Sequence, residues 1–359
     1  MKKILILANS SGGLYDFRNE LVEKLLKEYQ VSVSLPDEVR TKELAGEGCK
    51  VIHTPINRRG VNPAEDLRLL LSYRRLLKEE KPDLVLTYTI KPNIYGGFCC
   101  RLMKIPYLVT VTGLGSTFQK QGVLLKMIVA MYRAGLKRAE CVFFQNEENR
   151  HIFEKYKIKG KKDRLVKGSG VSLKRHVFEE YPRGVTKFLF VGRMMREKGI
   201  EELLEAAKAL HSPEVVFELL GYCDEDYQDR LDECEQKGYI RQLGFHPDVH
   251  EYLKQAQALV LPTYHEGMSN VLMEAAATGR PVIATRISGC KEIFEEGITG
   301  IGCEPRSSKD LIRALERFLE LSWQERAGMG RRAREKMERE FDREKVVQDY
   351  YKEVKDGLI

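Results

Sequence analysis

The sequence predicts an α/β protein of two Rossmann-like βαβ domains, and three observations carry that prediction. Residues 2–35 read as strand, glycine-bearing loop, helix and strand, an order that favours a parallel sheet. The same order begins again at Phe188-Leu189-Phe190-Val191, followed by a glycine-bounded loop and a helix over 200–210. A chain of 359 residues is long enough for two domains of ordinary size. The pattern breaks over 168–182. That places the domains at 1–172 and 173–342, with a helical tail over 343–359.

Bulk composition narrows the class. Hydrophobic residues make up 43% and charged residues 31%, as in a soluble globular protein. Met1-Lys2-Lys3 runs straight into a strand-length apolar segment, so no signal peptide is expected. No apolar run approaches the ~20 residues that span a bilayer. The eight cysteines include no C-x-x-C pair, and reduced, buried thiols are expected. The net charge of +7 is unevenly spread. Residues 1–175 hold 33 basic against 18 acidic side chains, a balance of +15, and the remainder carries −8. A basic half points to an anionic surface. With no basic motif interleaved with aromatics and no DNA-binding module, nucleic acid is not the expected partner.

The elements of the first half follow in order. Lys2 to Ala8 is a strand. Residues 9–14 form a loop whose Gly12-Gly13 either lets a diphosphate or an acceptor approach the backbone or is simply turn chemistry. Phe17 to Tyr29 is a helix with Leu21, Leu25 and Leu26 inward, and Val31 to Leu35 is the next strand. The helix Pro63 to Glu80 leads to a strand over 83–87 and then to a polar loop over Tyr88 to Asn93. Loops at the C-terminal ends of strands line the ligand crevice of open α/β sheets. Lys91 and Asn93 are therefore candidates for an acceptor phosphate or sugar, unless Lys91 is merely solvated. The strand Tyr107 to Thr112 ends at Gly113. The helix Gly122 to Ala139 combines Leu124, Leu125, Met127, Ile128, Val129, Met131 and Leu136 with Lys126, Arg133, Lys137 and Arg138. That mixture suits either an interfacial membrane contact or a helix packed on its sheet. A strand over 141–144, a helix over 147–156 and a basic tract over 155–167 complete the half.

In the second half, Gly192-Arg193-Met194-Met195-Arg196-Glu197-Lys198-Gly199 follows a strand. An arginine and a lysine five apart on a glycine-bounded loop can converge on one diphosphate. Val215 to Leu220 is a strand, followed by Gly221-Tyr222. A further strand and turn run from Ile240 through Phe245-His246, with a helix from Val249. Ala258 to Leu261 is a buried strand that stops at Pro262. After it comes Tyr264-His265-Glu266-Gly267-Met268-Ser269-Asn270, and then a helix from Val271 to Thr278 ended by Gly279-Arg280-Pro281. Backbone amides near Met268 to Asn270 at a helix start favour an anion. Glu266 and Glu274 flank that site and would repel phosphate, so they are expected to hold sugar and ribose hydroxyls, since a carboxylate accepts paired hydrogen bonds from a diol. Taken alone, the two carboxylates are also compatible with an ordinary surface helix.

The Glu266-x7-Glu274 spacing, with Gly192, Arg193, Lys198 and Gly199, resembles the retaining glycosyltransferases of family GT4. It is most similar to bacterial members, among them N-acetylgalactosaminyltransferases, that extend undecaprenyl-diphosphate-linked saccharides. The resemblance implies a GT-B fold with two domains facing across a cleft and the tail helix packed back on the first. It implies a UDP-sugar donor, a lipid-linked saccharide acceptor and retention of anomeric configuration. On that basis Glu266, Arg193 and Lys198 are the expected catalytic residues. Gly13, Gly192, Phe245, His246, Gly267, Met268, Ser269, Asn270, Val271 and Glu274 are expected at the donor, with Phe245 and His246 at the base. Lys91, Asn93, Thr112 and Gly113 are expected at the acceptor. Two positions depart from the family pattern: Thr112-Gly113 stands where many relatives have a histidine, and Ser288 replaces the first glycine of the 286–292 loop. No Asp-x-Asp lies on a suitable loop, so neither metal nor other cofactor is expected. The expected location is cytoplasmic, peripheral on the inner face of the cytoplasmic membrane and held through the basic half. An epimerase of UDP-N-acetylglucosamine on the same fold, and a non-catalytic nucleotide-sugar-binding protein, are the alternatives.

Overall fold

Strand β1 (Lys3–Leu7) is buried on both faces. Ile4 and Ile6 join one apolar cluster, Leu5 and Leu7 another, as a central parallel strand requires. The computed structural model describes residues 1–57, 62–114, 118, 122–224 and 226–358. It divides into two units, 1–169 with 343–359, and 170–342. The first unit adds β2 (Gln30–Leu35), β3 (Lys50–His53), β4 (Leu84–Tyr88), β5 (Tyr107–Val111), β6 (Cys141–Phe144) and β7 (Asp163–Leu165). These run in the order β3-β2-β1-β4-β5-β6-β7, with every pairing parallel.

Three details differ from the sequence expectation. The first helix begins at Ser11, not Phe17, because Ser10 in extended conformation caps it and accepts from the Gly13 amide at 3.2 Å. Gly12 and Gly13 therefore lie in the first helical turn, not in an open loop. Residues 88–93 are not an extended polar loop either. The chain turns helical at Ile90 and continues through a π-turn (Pro92–Gly96) into the helix Gly97–Met103. Finally, β7 lies inside the basic tract. Its charges are answered by the C-terminal helix, where Glu353 pairs with both Lys162 (2.5 Å) and Arg164.

That helix (Arg343–Gly357) covers the Ile4–Ile6 face of the sheet. Tyr350 stacks on Phe143 with ring centroids 4.1 Å apart, and its hydroxyl lies 3.1 Å from Thr110 Oγ1. Arg343 donates to Asp16 O and Glu20.

The second unit holds β8 (Thr186–Val191), β9 (Val215–Leu220), β10 (Ile240–Gly244), β11 (Ala258–Leu261), β12 (Val282–Thr285) and β13 (Gly300–Cys303). All are parallel, in the order β10-β9-β8-β11-β12-β13. Arg280 is fully buried behind this sheet. Its guanidinium donates to the carbonyls of Leu253, Lys254, Thr278, Gly279, Glu179 and Glu180. Burial lowers its pKa to about 10. In each sheet the strand order reverses beside the first strand, between β1 and β4 and between β8 and β11. Ligands of open α/β sheets bind at the carboxyl ends of the strands at such a reversal.

Candidate active site

The glycine-bounded loop leaves β8 at Gly192, whose φ is +155°. A Cβ on the neighbouring Gly221 would lie 1.9 Å from Gly192 O, so the two strand ends meet backbone to backbone. Met194 N then bonds Tyr222 O at 3.0 Å. This brings Arg193 to Asp224, Nη1 to Oδ2, at 2.6 Å. Asp224 is a partner of Arg193 that the sequence reading did not single out.

A 3-10 turn over Arg196–Lys198 ends at Gly199, with φ +71°. A Cβ there would lie 2.1 Å from Pro262 O, so only glycine lets this loop lie against the end of β11. Tyr264 N and Thr263 Oγ1 both donate to Glu197 O, at 2.9 and 3.2 Å. Lys198 Nζ consequently hydrogen-bonds Glu266 Oε1. The two side chains are mostly shielded from solvent. The two predicted catalytic residues are thus direct partners.

From the other side, Ser269 N donates to Gly289 O at 2.9 Å. Gly289 has φ +87°, and a Cβ on it would lie 2.8 Å from both Glu266 O and Gly267 O. Glu292 fixes that loop by accepting from Ser288 Oγ (2.9 Å) and Gly289 N (2.7 Å). Ser288 thus contributes a hydrogen bond where the family pattern has a glycine. Met268 and Ser269 are buried. The helix Asn270–Ala277 starts here, one residue before the expected Val271, and Ser269 makes no side-chain cap bond to it. Glu274 is buried one turn in, with Oε1 3.9 Å from His176 Nε2. Cys290 sits beneath, fully buried. Desolvation, with Glu266 nearby, pushes its thiol well above the ordinary range, so it is inert.

Phe245 is 66% exposed and forms an edge-on pair with Tyr222, itself 49% exposed, at 6.3 Å. Both lie at strand ends next to the Gly192 loop, and Tyr222 was not among the expected residues. His246 is exposed and folds back on its own turn, with Nε2 3.1 Å from Leu243 O and its ring 4.8 Å from Tyr252.

In the first unit the expected residues separate. Asn93 is buried, accepting from Thr87 Oγ1 and donating to Thr110 O, each at 2.8 Å. Its buried amide ties β4 to β5 through both its oxygen and its nitrogen. Gly13 commits its N–H to the Ser10 cap. Lys91 and Asp66 form a shielded pair at 2.7 Å. Lys91, Thr112 and Gly113 line a cavity of about 200 Å³ with Asn9, Ile56, Thr89 and Ile90. Residues 115–117, which continue the loop after β5, lie outside the described residues. Among the described residues no three His, Cys, Asp or Glu side chains cluster as metal ligands.

Two family models match the chain, one per half. "Glycosyl transferase 4-like" covers residues 3–146, and "Glycosyl transferases group 1" covers residues 185–321. The chain is 28% identical to the N,N'-diacetylbacillosaminyl-diphospho-undecaprenol alpha-1,3-N-acetylgalactosaminyltransferase of Campylobacter jejuni, over 89% of each chain. It is 27% identical to the UDP-Gal:alpha-D-GlcNAc-diphosphoundecaprenol alpha-1,3-galactosyltransferase of Escherichia coli, over 76% of this chain and 75% of that one. Among solved structures, Anabaena HepE in complex with UDP and glucose superposes with a TM-score of 0.81 at 19% identity, over 99% of this chain and 100% of that one. WaaG, a glycosyltransferase of lipopolysaccharide biosynthesis, gives 0.74 at 16%, over 96% and 98%. At those identities the superpositions establish the fold.

Proposed function

We propose that this chain, a GT-B glycosyltransferase of the GT4-like, group 1 type acting on undecaprenyl-diphosphate-linked sugars, moves a hexose or N-acetylhexosamine from a UDP-sugar with retention and without a divalent metal. The observation that carries the reading is the convergence of Arg193, Lys198, Glu266 and the start of the Asn270–Ala277 helix at the β8/β11 reversal.

In this reading the diphosphate lies on Arg193, Lys198 and the amides of Met268 and Asn270 at the helix start, the Ser269 amide between them being committed to Gly289 O. Glu274 accepts from the ribose diol, Glu266 orients donor-sugar hydroxyls, and the uracil rests by Phe245 and Tyr222. Bond breaking at the anomeric carbon builds charge on the leaving oxygen. Preorganised donors each supply roughly 2.7–4 kcal/mol against such charge. The Lys198–Glu266 pair answers a difficulty that two carboxylates at an anion site create: the ammonium cancels the Glu266 charge before the donor arrives. With two cations on the leaving group, the task a metal performs elsewhere is covered. Among the described residues no side chain is a clear nucleophile, which favours front-face displacement over a covalent intermediate.

The membrane partner is the inner-leaflet surface, approached by the helix Val123–Leu136 of the first unit. Val129, Tyr132 and Leu136 face the core, while Val123 and Met127 remain exposed beside Lys126, Lys137 and Arg138. Arg133 is committed to Tyr156 O. Each free basic residue contributes about 1 kcal/mol at an anionic leaflet. No helix among the described residues is long and apolar enough to cross a membrane.

The test is a screen of UDP-sugars for thermal stabilisation, followed by UDP release with and without lipid-linked acceptor and with chelator present. One donor is expected to stabilise the protein by about 2.7 kcal/mol at a hundred times its dissociation constant. Release should depend on acceptor and be indifferent to EDTA. Turnover without acceptor favours the epimerase reading instead.

A further inference from the structure

The carboxylate beside Arg193 is anchored by backbone. Beyond the end of β9 the chain stays in register with the loop that leaves β8. Met194 pairs with Cys223 in an isolated parallel bridge. On one side of it Met194 N donates to Tyr222 O at 3.0 Å, and on the other Asp224 N donates to Met194 O at 3.2 Å. These rungs carry Asp224 Oδ2 to 2.6 Å from Arg193 Nη1. Among the described residues the guanidinium has no second hydrogen-bond partner.

Exposure decides which of the two a ligand meets. The Asp224 side chain is 13% exposed and that of Arg193 38%, so the carboxylate stands behind and the guanidinium is within reach. The bond occupies one N–H of the guanidinium fork. The other N–H groups remain for a ligand, and the bond to Asp224 sets the direction in which the planar fork presents them.

This arrangement has a cost and a gain. A paired guanidinium attracts a diphosphate less than a bare one, because the neighbouring carboxylate opposes it. That loss falls on donor and product alike, and attraction felt equally along the reaction does not speed the chemical step. A donor held in place does speed it, since charge grows on the leaving oxygen while the fork has no reorganising to do. Without its anchor, a long arginine side chain must be ordered afresh at each encounter.

We propose that Asp224 is a positioning residue for the leaving group: it fixes the Arg193 fork against the diphosphate and gives up UDP affinity in doing so. This rests on the transferase reading above, in which the diphosphate lies on Arg193.

The test uses Asp224→Asn, which keeps an acceptor oxygen and drops the charge, and Asp224→Ala, which drops both. Arg193→Ala and the Asp224→Ala/Arg193→Ala double variant complete the set, all in the full chain. UDP affinity is measured by calorimetry, and kcat with donor and lipid-linked acceptor. Both Asp224 variants should bind UDP more tightly than the wild type, by about tenfold. Asp224→Ala should lose about 10–10²-fold in kcat through misplacement of the fork, and Asp224→Asn should recover most of that loss. In the Arg193→Ala background, Asp224→Ala should cost no further kcat. Asp224→Asn is isosteric, so its UDP affinity decides the point should Asp224→Ala fail to fold. The inference is overturned if Asp224→Asn binds UDP no better than the wild type, or if Asp224→Ala raises kcat, in which case Asp224 holds Arg193 away from the diphosphate. It is also overturned if Asp224→Asn loses as much kcat as Asp224→Ala, which assigns the loss to slow UDP release, or if Asp224→Ala costs the same kcat with and without Arg193. Failure of the transferase reading looks different: the wild type then does not bind UDP, or Arg193→Ala binds it as the wild type does. With no diphosphate on Arg193 the inference falls too.

Discussion

Lys198 Nζ hydrogen-bonds Glu266 Oε1 across 68 residues of sequence. The contact joins a loop after β8 to a loop after β11, and it makes one unit of two groups with separate expected tasks. In the proposed mechanism Lys198→Ala loses leaving-group stabilisation, and kcat should fall about 10²–10³-fold. Glu266→Ala leaves Lys198 without its partner and should also be severely impaired. Because the residues act together, the double variant should lose far less than the product of the single losses. Steady-state kinetics on the three variants decide this. Clean multiplication would show that the two side chains act independently.

Gly289 tests how the donor loop is held. Gly289→Ala carries the left-handed cost of about 1–2 kcal/mol and also drives a Cβ to within 2.8 Å of two carbonyls of the Glu266 loop. Gly297→Ala is the control, with φ +70° and nothing within 4 Å of its Cβ. Both should lower Tm, but only Gly289→Ala should weaken UDP binding by calorimetry. Equal UDP affinities would separate the Gly289 contact from the site.

Arg280 gives a stability prediction. Its guanidinium serves six backbone carbonyls, of which those of Leu253 and Thr278 also accept from the Ala256 and Glu179 amides, and a lysine cannot present a planar fork to them. Arg280→Lys should destabilise the protein by about 3 kcal/mol or more through unpaired buried carbonyls, read by urea unfolding. A variant within 0.5 kcal/mol of wild type, the ordinary range for surface changes, would show that those carbonyls find other donors.

The cysteines make stability pH-dependent. Burial pushes the thiols of Cys49, Cys141 and Cys303 up to about 12, and that of Cys99 up to about 11, whereas an unfolded thiol titrates near 8.5. The folded state therefore holds protons that the unfolded state releases. The resulting stabilisation is complete below about pH 8.5 and is lost as pH rises towards 12, so Tm should drop steadily above pH 9. At pH 8 a disulfide reagent should reach promptly only the half-buried Cys223 and Cys234, and all eight thiols in denaturant. Fast labelling of Cys290 in the native protein would contradict its burial.

For the membrane surface, Met127→Asp combined with Val123→Asp should abolish sedimentation with anionic vesicles while leaving UDP binding intact. Both side chains are exposed, so the fold should tolerate the change. Unchanged sedimentation would move the docking surface elsewhere in the basic half.

Local chemistry made the architecture readable from the chain. Parallel strands buried on both faces are continuous apolar runs, so β1, β4, β5, β8, β9 and β11 could be recognised singly, and their alternation with helices declared the fold. Glu266, Glu274, Arg193 and Lys198 were equally visible, because each pair lies within one loop–helix segment. What tertiary structure decided is everything that depends on which strand ends become neighbours. Lys91 and Asn93, two residues apart in sequence, look alike there; burial makes one a pocket wall and the other a strut between Thr87 and Thr110. Asp224 beside Arg193, Tyr222 beside Phe245, the Lys198–Glu266 bond and the left-handed Thr89 all arise where separate loops meet at the sheet reversals. A one-dimensional pattern records a residue's own preferences, whereas these features are preferences overruled or completed by partners distant in the chain.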